Sequence, residues 1–343
     1  MVITEAVLQR TLEQVVGTER THSLFQVLVV PQRLMEETGA NISRAGIAQA
    51  LNMLLFEELV NRVPDAKSYV EDCLRHGMKV MHDHGAVRTV ALQGMGGLPA
   101  GEDAITRILR PLGYALNGVY PLERLKMTGR SHAHAEYPEE LAQLFVSELH
   151  PERFSVEFQA AVGRITSTSR DPLTPEAAAL LAELEEGCSL SVEKSVMLLP
   201  VLAKIFTRQH AEGTLSDYEI LLAESAEMAW ISTEGNAFNH ATDRVVDIDQ
   251  LVADQKLLGR AMKTTVETSQ SGRVRQTAFL AARVHRRFRA EDGSVIEKEV
   301  PGSFYEFIAR FPFSSEDERT GLDLSFDSSS AQAIFKMTAD SGR

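Results

Sequence analysis

Two cysteines, Cys73 and Cys188, are all that this chain of 343 residues contains, and they sit in no pairing pattern. A disulfide framework is therefore not expected, and a reducing, cytoplasmic setting is. Positive charge is also scarce. Lys and Arg number 35 against 48 Asp and Glu, for a net charge of −13. That balance argues against general nucleic-acid binding, which needs many phosphate-neutralising cations, and against docking on anionic membranes. Long apolar runs are missing too. The longest, such as residues 196–203, fall far short of the ~20 residues that cross a bilayer. Met1 to Glu13 has no basic stretch followed by an apolar core, so no signal peptide is expected. The chain has neither G-x-S-x-G nor a P-loop, which removes the serine-hydrolase elbow and the Walker phosphate cradle.

What is present is an ordinary globular composition, 44% hydrophobic and 24% charged. The length is worth roughly two domain-sized units. The first 80 residues read as helices, with residues 51–60 and 66–80 keeping the helical period. Residues 81–150 read as a first strand-rich module, with strands at 86–92, 114–120 and 144–149 and a helix at 102–109. Residues 151–235 read as a helical insertion. Thr174 before Pro175 predicts a helix start, and Ser216 with Glu219 predicts a capping box ahead of 220–230. Residues 236–343 read as a second strand-rich module. It holds a helix at 249–264, strands at 276–288 and 294–300 flanking the hairpin signal Glu291-Asp292-Gly293, and a strand at 303–311. The class is mixed α+β, with no sequence repeat in view.

Three short strings carry the chemistry: His84-Gly85-Ala86-Val87-Arg88, Phe238-Asn239-His240-Ala241-Thr242 and Phe304-Tyr305-Glu306-Phe307-Ile308. Two imidazoles and a carboxylate with open positions make the ligand set of non-haem Fe(II) oxygenases, though Zn, Mn or Ni accept the same donors. His84, Ala86 and Arg88 would share one strand face, with His84 and Arg88 about 13 Å apart at Cα. Arg88 could then fork onto a substrate carboxylate while His84 holds the metal. Each residue also has a plainer reading: His84 as a strand-start cap, Arg88 in an ion pair, and His240 as a hydrogen-bonded core histidine. Glu306 alternates with Phe304 and Ile308 on an apolar face, where a carboxylate needs a metal or an ion pair. Arg283 and Arg287 are candidate partners for such a pair.

Other constellations rank lower. His132 and His134 form a His-x-His pair in what reads as a loop, as solvated histidines. His82 beside Asp83 is similar. Gly94-Met95-Gly96-Gly97-Leu98-Pro99 has proline where a dinucleotide fingerprint needs glycine, so a plain turn is expected. The arginines at 273, 275, 283, 286, 287 and 289 make a local basic region, mostly a solvated face. Cys73 with His76 is a weak nucleophile signal.

At the three main strings the chain resembles the 2-oxoadipate dioxygenase/decarboxylase (hydroxyglutarate synthase) family, formerly a domain of unknown function. That family is related in fold to the glyoxalase, or vicinal oxygen chelate, superfamily. The likeness runs from about residue 20 to 337, and Phe145-Val-Ser-Glu-Leu149 and Gly272-Arg-Val-Arg-Gln-Thr-Ala-Phe279 add to it. The resemblance implies a single glyoxalase-like domain over 1–343, a mixed β-sheet barrel around a metal site. It implies His84, His240 and Glu306 as ligands of Fe(II), and Arg88 as the residue binding the substrate carboxylate. The reaction it implies joins a 2-oxo dicarboxylic acid with O2 to give a 2-hydroxy acid and CO2. The chain looks shorter than the longer members of that family, which leaves the choice of 2-oxo acid open. A glyoxalase-type isomerase or lyase without O2, and a non-catalytic small-acid binder, are the alternatives. The oligomeric state has no signal in the sequence.

Overall fold

The structure is a computed structural model that describes residues 5–290, 292–313 and 320–326. The N-terminal helices are α1 (Val7–Val16), α2 (Thr18–Val27) and α3 (Gln32–Glu36), then α4 (Arg44–Arg62) and α5 (Pro64–Arg75) after the short strand β1 (Asn41–Ser43). The first strand-rich module follows as β2 (His82–Val90), α6 (Asp103–Leu109), β3 (Tyr114–Leu122), β4 (Met127–His134) and β5 (Gln143–Leu149). The helical insertion holds α7 (Val156–Thr166), α8 (Pro175–Gly187), strand β6 (Ser189–Ser191), α9 (Val192–Ile205), α10 (Leu215–Glu224) and α11 (Ala226–Glu234). The second module is β7 (His240–Arg244), α12 (Ile248–Leu257), β8 (Glu267–Thr268), β9 (Val274–Ala278), β10 (Arg283–Arg289), β11 (Val295–Pro301) and β12 (Phe304–Arg310).

Eight strands form one curled sheet in the order β3-β4-β5-β2-β7-β12-β9-β8. The expected barrel is thus a half-barrel, with β3 and β8 at its two edges. The sheet is built twice over. In each module the leading strand (β2, β7) pairs in parallel with the last (β5, β12), and the remaining strands add antiparallel outside it. The β10–β11 hairpin is inserted between β9 and β12 of the second module. The two leading strands meet antiparallel with Gly85 opposite Ala241. This pairing makes His84 the counterpart of His240, and Arg88 the counterpart of Arg244. No repeat is visible in the sequence because these two positions are nearly all that the copies share.

Helices cover one face of the sheet and leave the other for chemistry. α4 is buried along most of its length, and its Phe56 meets the Tyr305 ring at 6.1 Å. From α5, Tyr69 packs on Tyr305 and Phe307. Tyr305 and Phe307 alternate with Glu306, so burying them turns Glu306 to the opposite, concave face. α9 packs on α1 and α4, and β6 pairs with β1, which joins the insertion to the N-terminal helices. Among the described residues no helix is long and apolar enough to cross a membrane.

Several sequence expectations are corrected. Met127–His134 is a strand, β4, not a loop; His132 and His134 are buried rather than solvated. Ser131 pairs with Phe145, which pairs with Ala86, so His132 and His134 face away from His84 and contribute nothing there. Thr214, not Ser216, caps α10 by accepting from the Asp217 amide, and the helix breaks at Ser225. α12 stops at Leu257, just before Gly259 takes φ +77°. The single strand expected at 276–288 is two, β9 and β10. The Thr174 cap, the plain turn at Gly94–Gly97 and the hairpin around Gly293 stand as expected; Glu291 lies outside the described residues.

Candidate metal centre

His84 on β2, His240 on β7 and Glu306 on β12 meet at one point on the concave face. His84 Nε2 lies 3.4 Å and His240 Nε2 3.1 Å from Glu306 Oε2. One potential ligand atom from each falls within 4.8 Å of the other two, and all three residues are buried. Strand register puts them there: Ala86 is opposite His240, His84 opposite Thr242, and Thr242 opposite Glu306. Thr242 Oγ1 donates to Glu306 Oε2 at 3.0 Å and lies 3.1 Å from His84 Nε2. The ring of Phe304 stacks on His240 at 4.7 Å. By the internal duplication, the counterpart of Glu306 in the first module is Phe145, which explains three candidate ligands rather than four.

Each imidazole is oriented from behind. His84 Nδ1 lies 2.9 Å from Asp83 Oδ1, and His240 Nδ1 3.2 Å from Asn239 Oδ1. Asp83, fully buried, is gripped by Arg244 Nε at 2.6 Å and by Arg310 through Nε and a terminal nitrogen, the latter at 2.9 Å. Burial works to raise the Asp83 carboxyl, but Arg310 and Arg244 hold it well below the usual range. Burial also opposes ionisation of Glu306, yet His240 and His84 bring it down to about 2. Burial lowers His240, whereas at His84 the same effect is outweighed by Asp83 and Glu306, which leave it raised.

These residues fit a divalent cation. Among the described residues nothing hydrogen-bonds the buried Glu306 Oε1, a costly state for a carboxylate oxygen unless a cation meets it. The donor set of two imidazoles and one carboxylate suits Fe, Zn, Mn or Ni. The ion-pair reading of Glu306 fails, because Arg283 pairs with Glu299 and Arg287 faces Glu212. The other arginines of that region are committed as well, Arg286 to Glu234, Arg275 to Asp249, Arg273 to Asp323 and Arg289 to the Glu212 carbonyl. Cys73 is buried with its thiol pushed up by burial, while the His76 ring bonds the Asp72 carbonyl, so no nucleophile pair forms.

Arg88 lies on the same face as His84, 1% exposed, with its guanidinium 5.0 Å from the Trp230 ring centroid. Burial lowers its pKa to about 10, with Glu227 pulling the other way. Sequence reasoning missed Asp83 and Arg310 as supports of His84. The signals available were a carboxylate directly before His84 and an arginine closing the strand that carries Glu306.

The family model of the 2-oxoadipate dioxygenase/decarboxylases matches residues 52–335. The chain belongs to this family. Its sequence is 51% identical to a protein of known structure described as glyoxalase superfamily, from Ralstonia eutropha JMP134, with a TM-score of 0.87 over 94% of this chain and 98% of that one. The fold is shared with the hydroxyglutarate synthase of Oryza sativa, solved with 2-oxoadipate, at 18% identity, TM-score 0.67, and coverage of 92% and 96%. It is shared also with the Pseudomonas putida hydroxyglutarate synthase, at 19% identity and TM-score 0.55 over 78% of this chain but 64% of that one. No curated protein matches the chain by sequence. Membership of the family makes the chain one of an enzyme family that acts on 2-oxoadipate.

Proposed function

We propose that the chain holds Fe(II) on His84, His240 and Glu306 and converts a 2-oxo dicarboxylic acid of the 2-oxoadipate kind, with O2, to a 2-hydroxy acid such as 2-hydroxyglutarate and CO2. The observation that carries this reading is the buried convergence of the three side chains around an unpartnered carboxylate oxygen, in a chain of this family. Bound there, the metal supplies oxygen activation and oxidative decarboxylation. The co-crystallisation of the Oryza sativa and Pseudomonas putida hydroxyglutarate synthases with 2-oxoadipate supports the substrate class.

The chain's own residues supply geometry. Asp83 and Asn239 hold the two imidazoles by Nδ1, so each Nε2 faces the common point. Thr242 fixes the Glu306 carboxylate by donating to Oε2. Arg88 receives the distal carboxylate of the acid in a forked pair of hydrogen bonds, which sets chain length and orientation. Its burial makes that recognition strong and keeps water away from the reacting carbons. Because the ligands come from both strand-rich modules, residues 1–343 act as one functional unit. Incubating the Fe(II)-loaded chain with 2-oxoadipate and identifying the acid formed by mass spectrometry tests this. A hydroxy acid one carbon shorter, absent with His240→Ala, is expected. Product formed equally well without O2 would move the reading to a glyoxalase-type isomerase or lyase.

A further inference from the structure

Arg310 is a buried guanidinium with two sets of partners. One side grips Asp83, which holds His84 by Nδ1. The other side, Nη1, donates to the carbonyls of Asp323 at 2.8 Å and Ser325 at 2.9 Å. Those carbonyls belong to residues 320–326, a strap across the concave face. The strap is pinned there by Gln143 Nε2 on the Leu324 carbonyl and by Tyr120 Oη, which accepts from the Phe326 amide. Phe326 lies edge-on to the His84 ring at 4.8 Å, with Phe145 at 5.1 Å and the Arg310 guanidinium at 5.0 Å.

We infer that Asp83 is the positioning residue of His84, and that Arg310 couples the seating of the 320–326 strap to occupancy of the metal point. This rests on the metal-site reading above. The physical case has three links. A strand-borne imidazole keeps rotational freedom about its side-chain bonds, and a carboxylate on Nδ1 removes it and leaves Nε2 as the free donor. Asp83 can serve only if it is itself fixed, and two guanidiniums do that. Arg310 divides its fork between Asp83 and the strap, so the orientation that satisfies one partner satisfies the other. A metal that fixes His84 then favours the seated strap, and by linkage the seated strap strengthens metal binding by the same factor. Lysine cannot replace this arrangement, since one ammonium does not reach both sets in a planar fork.

Zn(II) serves as the probe, since it accepts the same donors without turnover. Affinity is measured by competition with a chromogenic chelator, and strap order by backbone hydrogen exchange over residues 320–326. Asp83→Asn should weaken Zn(II) binding roughly 10- to 100-fold while the fold, followed by circular dichroism, stays intact. In the unmodified chain Zn(II) should slow exchange in the strap, and in Arg310→Lys it should not. The exchange arm on the unmodified chain needs no variant to fold. Wild-type affinity in a folded Asp83→Asn, or strap exchange indifferent to bound Zn(II), would overturn the inference and leave the metal site standing. An unmodified chain that takes up no Zn(II) would overturn the metal reading and this inference together.

Discussion

Arg88→Lys keeps a positive charge and loses the planar fork. With the guanidinium buried against Trp230, kcat/KM for the 2-oxo dicarboxylic acid should fall by roughly 10- to 100-fold while Zn(II) affinity stays level; near-normal turnover would remove Arg88 from substrate binding. Asp243 gives a second test at the same scale. Burial raises its carboxyl to about 7 from an ordinary 3.8, although Tyr69 Oη at 2.6 Å and the Met81 amide favour the ionised form. A carboxyl raised in the fold stabilises it when protonated. That contribution is complete below the unfolded value and is lost as pH rises through about 7. Asparagine keeps an acceptor for the Met81 amide and offers an N–H to Tyr69 Oη in place of the second acceptor, without the charge. Thermal melts of Asp243→Asn and the unmodified chain should therefore diverge in the variant's favour from about pH 5 to about pH 8, and parallel curves would refute the assignment. The three candidate ligands and Arg88 stood out in the sequence as polar residues in strand-like strings, but the strings alone left plainer readings open, and it was the family resemblance that implied their roles. Asp83 and Arg310 did not stand out, since they lie on β2 and β12, more than two hundred residues apart in the chain, and meet only through the sheet order and the bulged pairing near His82.

At the scale of elements, the segment before β7 is held on β2 by hydrogen bonds from Asn236 and Asn239 and by the Phe238 ring. A Cβ on Gly85 would stand 2.2 Å from the Phe238 ring, so only glycine lets that ring lie behind the strand between His84 and Ala86. Gly85→Ala should cost about 1–3 kcal/mol in denaturant unfolding and weaken metal binding by displacing His84; an unchanged midpoint would show that Phe238 simply moves aside. The same physics explains why β4 was misread. Gly129 marks no turn: a Cβ there would meet the Phe145 ring at 2.5 Å. Glycine required by a neighbouring ring and glycine required by a turn look alike in sequence. β2, β3, β5 and β12 were legible because alternation or Val-rich runs mark them, whereas the ends of α10 and α12 depend on caps that several nearby residues could supply.

For the molecule as a whole, two copies of one strand-and-helix module place their leading strands side by side, and the candidate ligands straddle that seam. The mixed α+β class and the alternation of helix-rich and strand-rich stretches along the chain could be read from patterning. The duplication could not, because His84/His240 and Arg88/Arg244 are nearly the whole of the shared signal and the β10–β11 hairpin breaks the spacing. The two arginines have also diverged in use, Arg244 supporting Asp83 while Arg88 faces Trp230. The central claim is that this seam binds iron and uses O2 on a 2-oxo acid. Oxygen uptake by the Fe(II)-loaded chain, followed on an electrode with 2-oxoadipate and with CO2 collected in parallel, tests it most directly. The account predicts uptake that needs both Fe(II) and the acid, matches CO2 mole for mole, and vanishes in Glu306→Gln. Metal bound in full with no oxygen consumed on any 2-oxo dicarboxylic acid would contradict it.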